Sequence, residues 1–332
     1  MGEAMEFGLC AWSFTPAHSA AGSGHDPMTL TGLIALAEER GLRSVEHSTT
    51  VLDGLDPGAR EDLVERLRSS GLELVLDCPW SEDPAEIGAH VERALRLARE
   101  VGARAVRTTI SRCLEGDRSR YGREGWQDHL EALIKPLRRA ADVAEDLQIP
   151  FGIENHQDLC SAELVALLER IGSSRAGVVM DCGNALAVGE HPAAFAERVL
   201  PFLVHVQLKD YVVHPTPSGW RFVRCALGEG VVDWPDLVAR FDAGPRDVIG
   251  TVELGATTAR HVRLLERDWW TTYDPRPFEE TLDALRVLHA AAQPPGAEWR
   301  TPHEREEPAA VLAAYELAQF DASVDYLRRT FA

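Results

Sequence analysis

Three acids stand at the ends of three apolar, β-branched runs in the second half of the chain: Glu154 in FGIENHQD, Asp181 in AGVVMDCGN and Glu253 in DVIGTVELGA. Carboxylates at such positions would be desolvated and would repel one another. A divalent cation relieves both problems. Three carboxylate oxygens with one neutral ligand suit Mn²⁺, with Mg²⁺ or Co²⁺ as alternatives, because hard cations favour oxygen donors. The run between Asp181 and Glu253 reads VHVQLKDY, and period-two alternation places His205, Gln207 and Lys209 on one face. Gln207 is placed to be the neutral ligand, which gives a metal set of Glu154, Asp181, Gln207 and Glu253. The alternative is that Glu154 and Glu253 are structural acids paired with Lys209 or Arg107.

Further candidates lie on the same and earlier runs. His156 shares parity with Glu154 and is a base, a substrate contact or a hydrogen-bonded wall residue. His205 lies deeper than Gln207, which fits packing or support of a ligand. Lys209 holds a substrate oxygen or pairs with one of the acids. Trp12 and Trp80 offer an apolar wall for a sugar ring, or fill a core. Glu46 and His47 end the second run and Arg107 stands on the fourth; each is a candidate substrate contact. Arg221 and Arg224, further on, form an anion clamp or are solvated loop charges.

The elements that must position these residues repeat in a simple order. Strand-like runs cover 6–14, 42–48, 72–80, 103–111, 150–158, 176–184, 203–211 and 247–256, with helical patterns between them. Asp83 is an N-cap with Pro84 at the first helical position, and Gly41, Gly71 and Gly102 stand where helices stop. Alternating strands and helices imply a parallel sheet, and eight units imply a closed (β/α)8 TIM barrel. A doubly wound open sheet is the alternative, but no glycine-rich phosphate loop follows the first strand. In a barrel the strand C-termini converge, which would bring the late acids together. The expected division is a catalytic barrel over 1–292 and a Pro-rich linker with a C-terminal helix over 293–332. That helix, from 309 to about 329, packs on the barrel or on a neighbouring subunit of a homo-oligomer. The segment 212–232 reads as a long binding loop.

Composition narrows the function classes. A formal charge of −19 over 332 residues repels phosphate backbones and argues against a nucleic-acid partner. It leaves room for a small anionic substrate in a locally basic cleft. Six cysteines without a CxxC pair suit a reducing compartment. No signal-type segment opens the sequence, and no apolar run reaches the roughly 18 residues of a membrane span. A cytoplasmic protein with no membrane partner is expected.

The runs GIENH, VVMDCGN, HVQLKD and TVELG, in that order, resemble the xylose isomerase-like TIM barrel family of sugar phosphate isomerases and epimerases, in the AP endonuclease 2-like superfamily. The resemblance runs over about residues 7–291. It implies a metal site of Glu, Asp, His and Glu from the last four strands, matched here at Glu154, Asp181 and Glu253. It also implies that the two glutamates are the acid and base that move a proton beside a carbonyl. Gln207 stands where the family usually has His, and Asn184 stands where a substrate-contacting His is common. An arginine usual in ketose epimerases after strand seven is replaced by YVVHP. The implied protein is a divalent-metal-dependent sugar isomerase or epimerase, acting through a metal-bound enediolate on a keto sugar or keto sugar acid. The alternative is a lyase of the same fold, decarboxylating a 3-oxo sugar acid or cleaving a 3-oxo glycoside. Its site would be Glu154, Glu253 and His156 for proton transfer, with Lys209, Asn184, Arg224, Trp12 and His47 around a small carbohydrate.

Overall fold

Parallel strands need a crossover between each pair, and the chain supplies one after each of the first seven barrel strands. The computed structural model describes residues 5–22, 25–245, 247–255 and 257–331. The barrel strands are β1 (Glu6–Cys10), β2 (Ser44–Ser48), β3 (Glu73–Asp77), β4 (Ala105–Thr108), β5 (Phe151–Glu154), β6 (Ala176–Asp181) and β7 (Leu203–Leu208). Next in the chain come β8 (Asp210–Thr216) and β9 (Gly219–Cys225), then β10 (Ile249–Val252) and β11 (Arg260–Val262). Strands β1 to β7 with β10 close into an eight-stranded parallel barrel, in which β10 lies between β7 and β1. The open doubly wound sheet is thereby excluded.

Local chemistry sets the crossovers. The Asp83 carboxylate accepts from the amides of Ala85 at 2.7 Å and Glu86 at 3.3 Å, and the helix runs Pro84–Val101. Its buried side, Ile87, Val91, Ala94, Leu95, Ala98 and Val101, has helical spacing. Gly71 and Gly102 end their helices at φ of 66° and 72°, where a Cβ is disfavoured. Gly8 answers a different need. A Cβ there would lie 1.9 Å from Ser44 Oγ, so β1 and β2 meet without a side chain between them.

Except at β2, the expected runs overshoot the strands at their C-terminal ends. The run 203–211 is in fact divided: β7 ends at Leu208, and Asp210 begins β8. Ala256, the last residue of the eighth expected run, lies outside the described residues, as do residues 1–4 and Ala332 at the chain ends. The segment expected to be a long loop is a β-hairpin. Strands β8 and β9 pair antiparallel around the two-residue turn Pro217–Ser218, and β11 pairs with β9 to complete a three-stranded sheet. Alternation in DYVVHPT and GWRFVRC carries this pairing, and the Pro and Gly between the two strands obscure it in sequence.

The C-terminal helix, Ala309–Phe331, lies against the barrel. Phe320, Val324 and Leu327 join the main core, and the rings of Phe14 and Phe320 meet edge-on at 5.7 Å. A second core, with Leu186, Val188, Tyr211, Val213, Phe222 and Val262, lies under the three-stranded sheet. No helix among the described residues is long and apolar enough to cross a membrane.

Asp210 fixes the path out of this sheet. Its Oδ2 accepts from Gly228 N (3.0 Å), Gly230 N (3.3 Å) and Trp234 Nε1 (2.9 Å), and its Oδ1 from Tyr211 N (2.9 Å) and Val232 N (3.1 Å). Asp210→Ala is expected to lose about 3–5 kcal/mol, because the buried donors on Tyr211, Val232 and Trp234 would be left unpaired. Urea unfolding of the variant measures this; a loss below about 1 kcal/mol would show that the turn holds itself.

Candidate active site

Register brings the polar ends together. Asp181 pairs with Gln207, Gln207 pairs with Thr251, and Glu253 follows two residues beyond Thr251 on the same face. Glu154 closes β5 beside Val179 of β6. Carboxylate oxygens of Glu154, Asp181 and Glu253 lie within 4.8 Å of one another, and all three residues are buried.

Each proposed ligand has one polar atom engaged and one free. Glu154 Oε2 accepts from Arg107, with Nε at 2.6 Å, and Oε1 is unpaired. Asp181 Oδ2 accepts from Asn184 Nδ2 at 2.6 Å and from Lys209 Nζ, while Oδ1 is unpaired. Glu253 Oε1 meets Lys209 Nζ at 2.8 Å, and Oε2 is unpaired. Gln207 Nε2 donates to Glu46 Oε1 at 2.6 Å, and Oε1 is unpaired. Converging buried acids with oxygens that lack donors are what a cation of oxygen preference requires, so Glu154, Asp181 and Glu253 fit a divalent metal, with Gln207 on the strand between Asp181 and Glu253.

Support comes from a second acidic group on the opposite wall. Cys10, Glu46 and Asp77 place their ligand atoms within 4.8 Å of one another. These acids are already engaged. Asp77 Oδ2 accepts from Trp12 Nε1 at 2.6 Å and faces Arg107 Nη1 at 3.3 Å. Glu46 Oε2 accepts from Thr251 and lies 3.1 Å from His205 Nε2. Burial, then the neighbouring Glu46, raises the Asp77 carboxyl well above its usual range. Burial also raises Glu46, against the field of Arg107. Both carboxyls therefore hold a proton more readily than exposed acids do, Asp77 the more strongly.

The cations and histidines are fixed by the same fields. Burial opposes the Lys209 ammonium, but Asp181 and Glu253 carry its pKa far above the ordinary lysine value. Arg107 is held charged in the same way by Glu154, Asp77 and Glu46. Burial, then Arg107 and Lys209, pushes His156 well down, so its imidazole is neutral at pH 7. Burial takes His205 down to about 3.

The expected residues are distributed as follows. Lys209 lies between two of the acids, and His156 stands edge-on to Trp80 at 5.1 Å with Nδ1 unpaired. Asn184 is committed to its neighbours: Nδ2 binds Asp181, and Oδ1 accepts from Tyr211 OH at 2.9 Å and Gln157 Nε2 at 3.1 Å. Trp12 and Trp80 are 47% and 43% exposed, so they do not fill the core. His47 is not brought into the group. Its Nε2 meets Met28 O at 3.2 Å and its Nδ1 accepts from Ser48 N at 2.8 Å, so both ring atoms are used locally. Arg224 lies beside the end of β10, with Nη1 donating to Gly255 O at 2.6 Å. Arg221 stacks on Trp299 at 3.9 Å, on the other face of its strand.

Sequence reading missed Asp77, Tyr211 and Gln157. Asp77 had a signal, an acid ending an apolar run in LELVLD, as Glu154 ends its own. Tyr211 had none, since its role depends on Gly183: a Cβ there would stand 2.6 Å from the ring.

Comparison with known proteins accords with this fold. The xylose isomerase-like TIM barrel family matches residues 34–288. The chain is 24% identical over 253 residues to 3-oxo-isoapionate decarboxylase of Pectobacterium atrosepticum, covering 75% of this chain and 85% of that protein. It is 26% identical over 214 residues to YihM of Escherichia coli (strain K12), a match that spans 62% of this chain and 60% of the length of YihM. A D-tagatose 3-epimerase-like protein of known structure superposes with a TM-score of 0.56 at 19% identity, covering 86% of this chain and 99% of the other.

The Asp77 proton gives stability a pH dependence. The folded state holds this proton more tightly than the unfolded chain, so stability falls as pH rises from the unfolded carboxyl value, about 4, toward the raised folded value. Asp77→Asn retains an acceptor for Trp12 and removes the titration. Between about pH 5 and about pH 8 the metal-free variant should lose less stability than wild type in urea unfolding. Equal slopes would mean that Asp77 is ionised throughout.

Proposed function

The chain belongs to the xylose isomerase-like TIM barrel family, and from that premise we propose that it is a metal-dependent enzyme that moves protons beside the carbonyl of a keto sugar or keto sugar acid. The observation that carries this reading is the set of four unpaired buried oxygens on Glu154, Asp181, Gln207 and Glu253. These residues would hold one divalent ion, with Mn²⁺ preferred over Mg²⁺ or Co²⁺. When bound, it would polarise a substrate carbonyl and offset the negative charge of an enediolate. Glu154 and Glu253 take up and return the proton at the substrate carbon. Arg107 and Lys209 each contact one oxygen of a glutamate, Glu154 and Glu253 respectively, which orients the two carboxylates. Neutral His156 accepts or donates at a substrate hydroxyl through its free Nδ1. Trp12 and Trp80 flank the sugar ring and limit access of water.

A second outcome of the same chemistry is favoured by similarity to the decarboxylase over 75% of this chain. A carboxylate on the carbon next to a ketone would leave as CO₂, its bonding electrons passing to the enediolate. Glu154 or Glu253 would then deliver the proton to that carbon.

Two measurements test the proposal. Calorimetry with Mn²⁺ is expected to show one site per chain. Gln207→His should keep it and Gln207→Leu should weaken it by more than about tenfold; unchanged affinity in Gln207→Leu removes Gln207 from the site. In D₂O, the Mn²⁺-loaded protein should exchange deuterium into a ketose or release CO₂ from a 3-oxo sugar acid. Neither event across a panel of both classes would overturn the enzyme reading.

A further inference from the structure

The three-stranded sheet after β7 carries two arginines that the acids do not claim. In antiparallel pairing Tyr211 stands opposite Arg224, and Phe222 opposite both Val213 and Arg260. Directly paired residues share a face, and residues two apart on a strand share it too. Tyr211, Phe222, Arg224 and Arg260 are therefore on one face, with the two arginines as diagonal neighbours. This face packs on the core that contains Leu186 and Val188, so it covers the strand ends. Arg224 reaches the backbone just beyond Glu253, with Nη1 bonded to Gly255 O (2.6 Å) and Thr257 Oγ1 (2.9 Å). Both fields reach the site: Arg224 acts on Lys209, and Arg260 on His156.

Neither arginine has an ion-pair partner among the described residues, although the chain has 53 acidic residues against 34 Lys and Arg. The Nε atoms of both are buried and unpaired. Glu115, the carboxylate whose field reaches Arg260, instead accepts from His261 N at 3.0 Å. Burial and the field of Arg224 lower the Arg260 pKa, as expected for two guanidinium groups held close without an anion. Like charges placed together in a partly buried setting cost stability unless a ligand of opposite sign joins them.

We propose that Arg224 and Arg260 form an anion-binding subsite above the metal centre, which takes a carboxylate or phosphate of the substrate and makes that substrate an acidic sugar derivative rather than a neutral ketose. This rests on the sugar-enediolate reading above. The two guanidiniums supply paired donors to anionic oxygens. They sit on the sheet and not on a barrel strand, so they grip a part of the substrate remote from the reacting carbon. Arg260 was not apparent in sequence, since only the β9–β11 register sets it beside Arg224.

Calorimetry with three matched probes tests this: ribitol, D-ribonate and D-ribitol 5-phosphate, each against metal-free and Mn²⁺-loaded protein. One of the two anions is expected to bind at least about tenfold more tightly than ribitol, and which one does identifies the group. Arg260→Gln should remove that advantage, Arg260→Lys should restore part of it, and ribitol binding should not change in either. Arg260 has no side-chain hydrogen bond among the described residues, so Arg260→Gln is expected to fold as wild type. Arg224→Gln gives a second reading of the same loss. Equal binding of ribitol and both anions, no binding of any probe, or an unchanged anion preference in Arg260→Gln would overturn the proposal. Loss of the metal reading is seen separately, as absence of Mn²⁺ binding in wild type, and leaves the anion measurement on metal-free protein intact.

Discussion

Charge balance inside the barrel mouth is the constraint on which the rest of the site depends. Five buried carboxyl groups, Glu46, Asp77, Glu154, Asp181 and Glu253, face two permanent cations, Arg107 and Lys209. Burial makes each uncompensated charge costly. A proton between Glu46 and Asp77 and a divalent ion among the other three would bring the cluster to neutrality. The two acidic groups thus have different solutions to one problem. On the β2–β3 side Trp12, Gln207, His205, Thr251 and Arg107 leave only Asp77 Oδ1 without a partner. On the β5–β10 side each of the three acids, and Gln207, keeps one open oxygen.

Arg107 and Gln207 join these two halves. Arg107 spans Glu154 and Asp77, and Gln207 uses its amide nitrogen on Glu46 and leaves its oxygen free. A histidine at position 207 would offer one ring nitrogen to each side, whereas the amide can only donate to Glu46 through nitrogen. Its remaining atom is then a hard oxygen, which matches the donor type of the three carboxylates.

Much of this was legible in sequence because barrels turn strand order into position. Alternating runs gave eight strands, and an acid at the end of a run then had to lie at the mouth. Glu154, Asp181 and Glu253 could be placed by that rule alone. Residues whose roles depend on a second contact could not. His47 sits at the end of β2 beside Glu46, yet its ring turns to Met28 O and its own neighbour's amide. Asn184 stands where the family resemblance implies a substrate contact, but Tyr211 and Gln157 occupy it. The hairpin was hidden for another reason. Pro and Gly punctuation around a two-residue turn resembles a loop until antiparallel partners are known.

Tyr211 joins the second core to the acids of the barrel. Its ring packs with Phe222 under the sheet, at 5.3 Å between centroids, and its hydroxyl donates to Asn184, which in turn holds Asp181. The sheet and the acid are therefore mechanically linked through one rigid side chain and one amide. The sheet that carries Arg224 and Arg260 is thus tied, through two hydrogen bonds, to an acid at the barrel mouth, so the far and near ends of the site share one support.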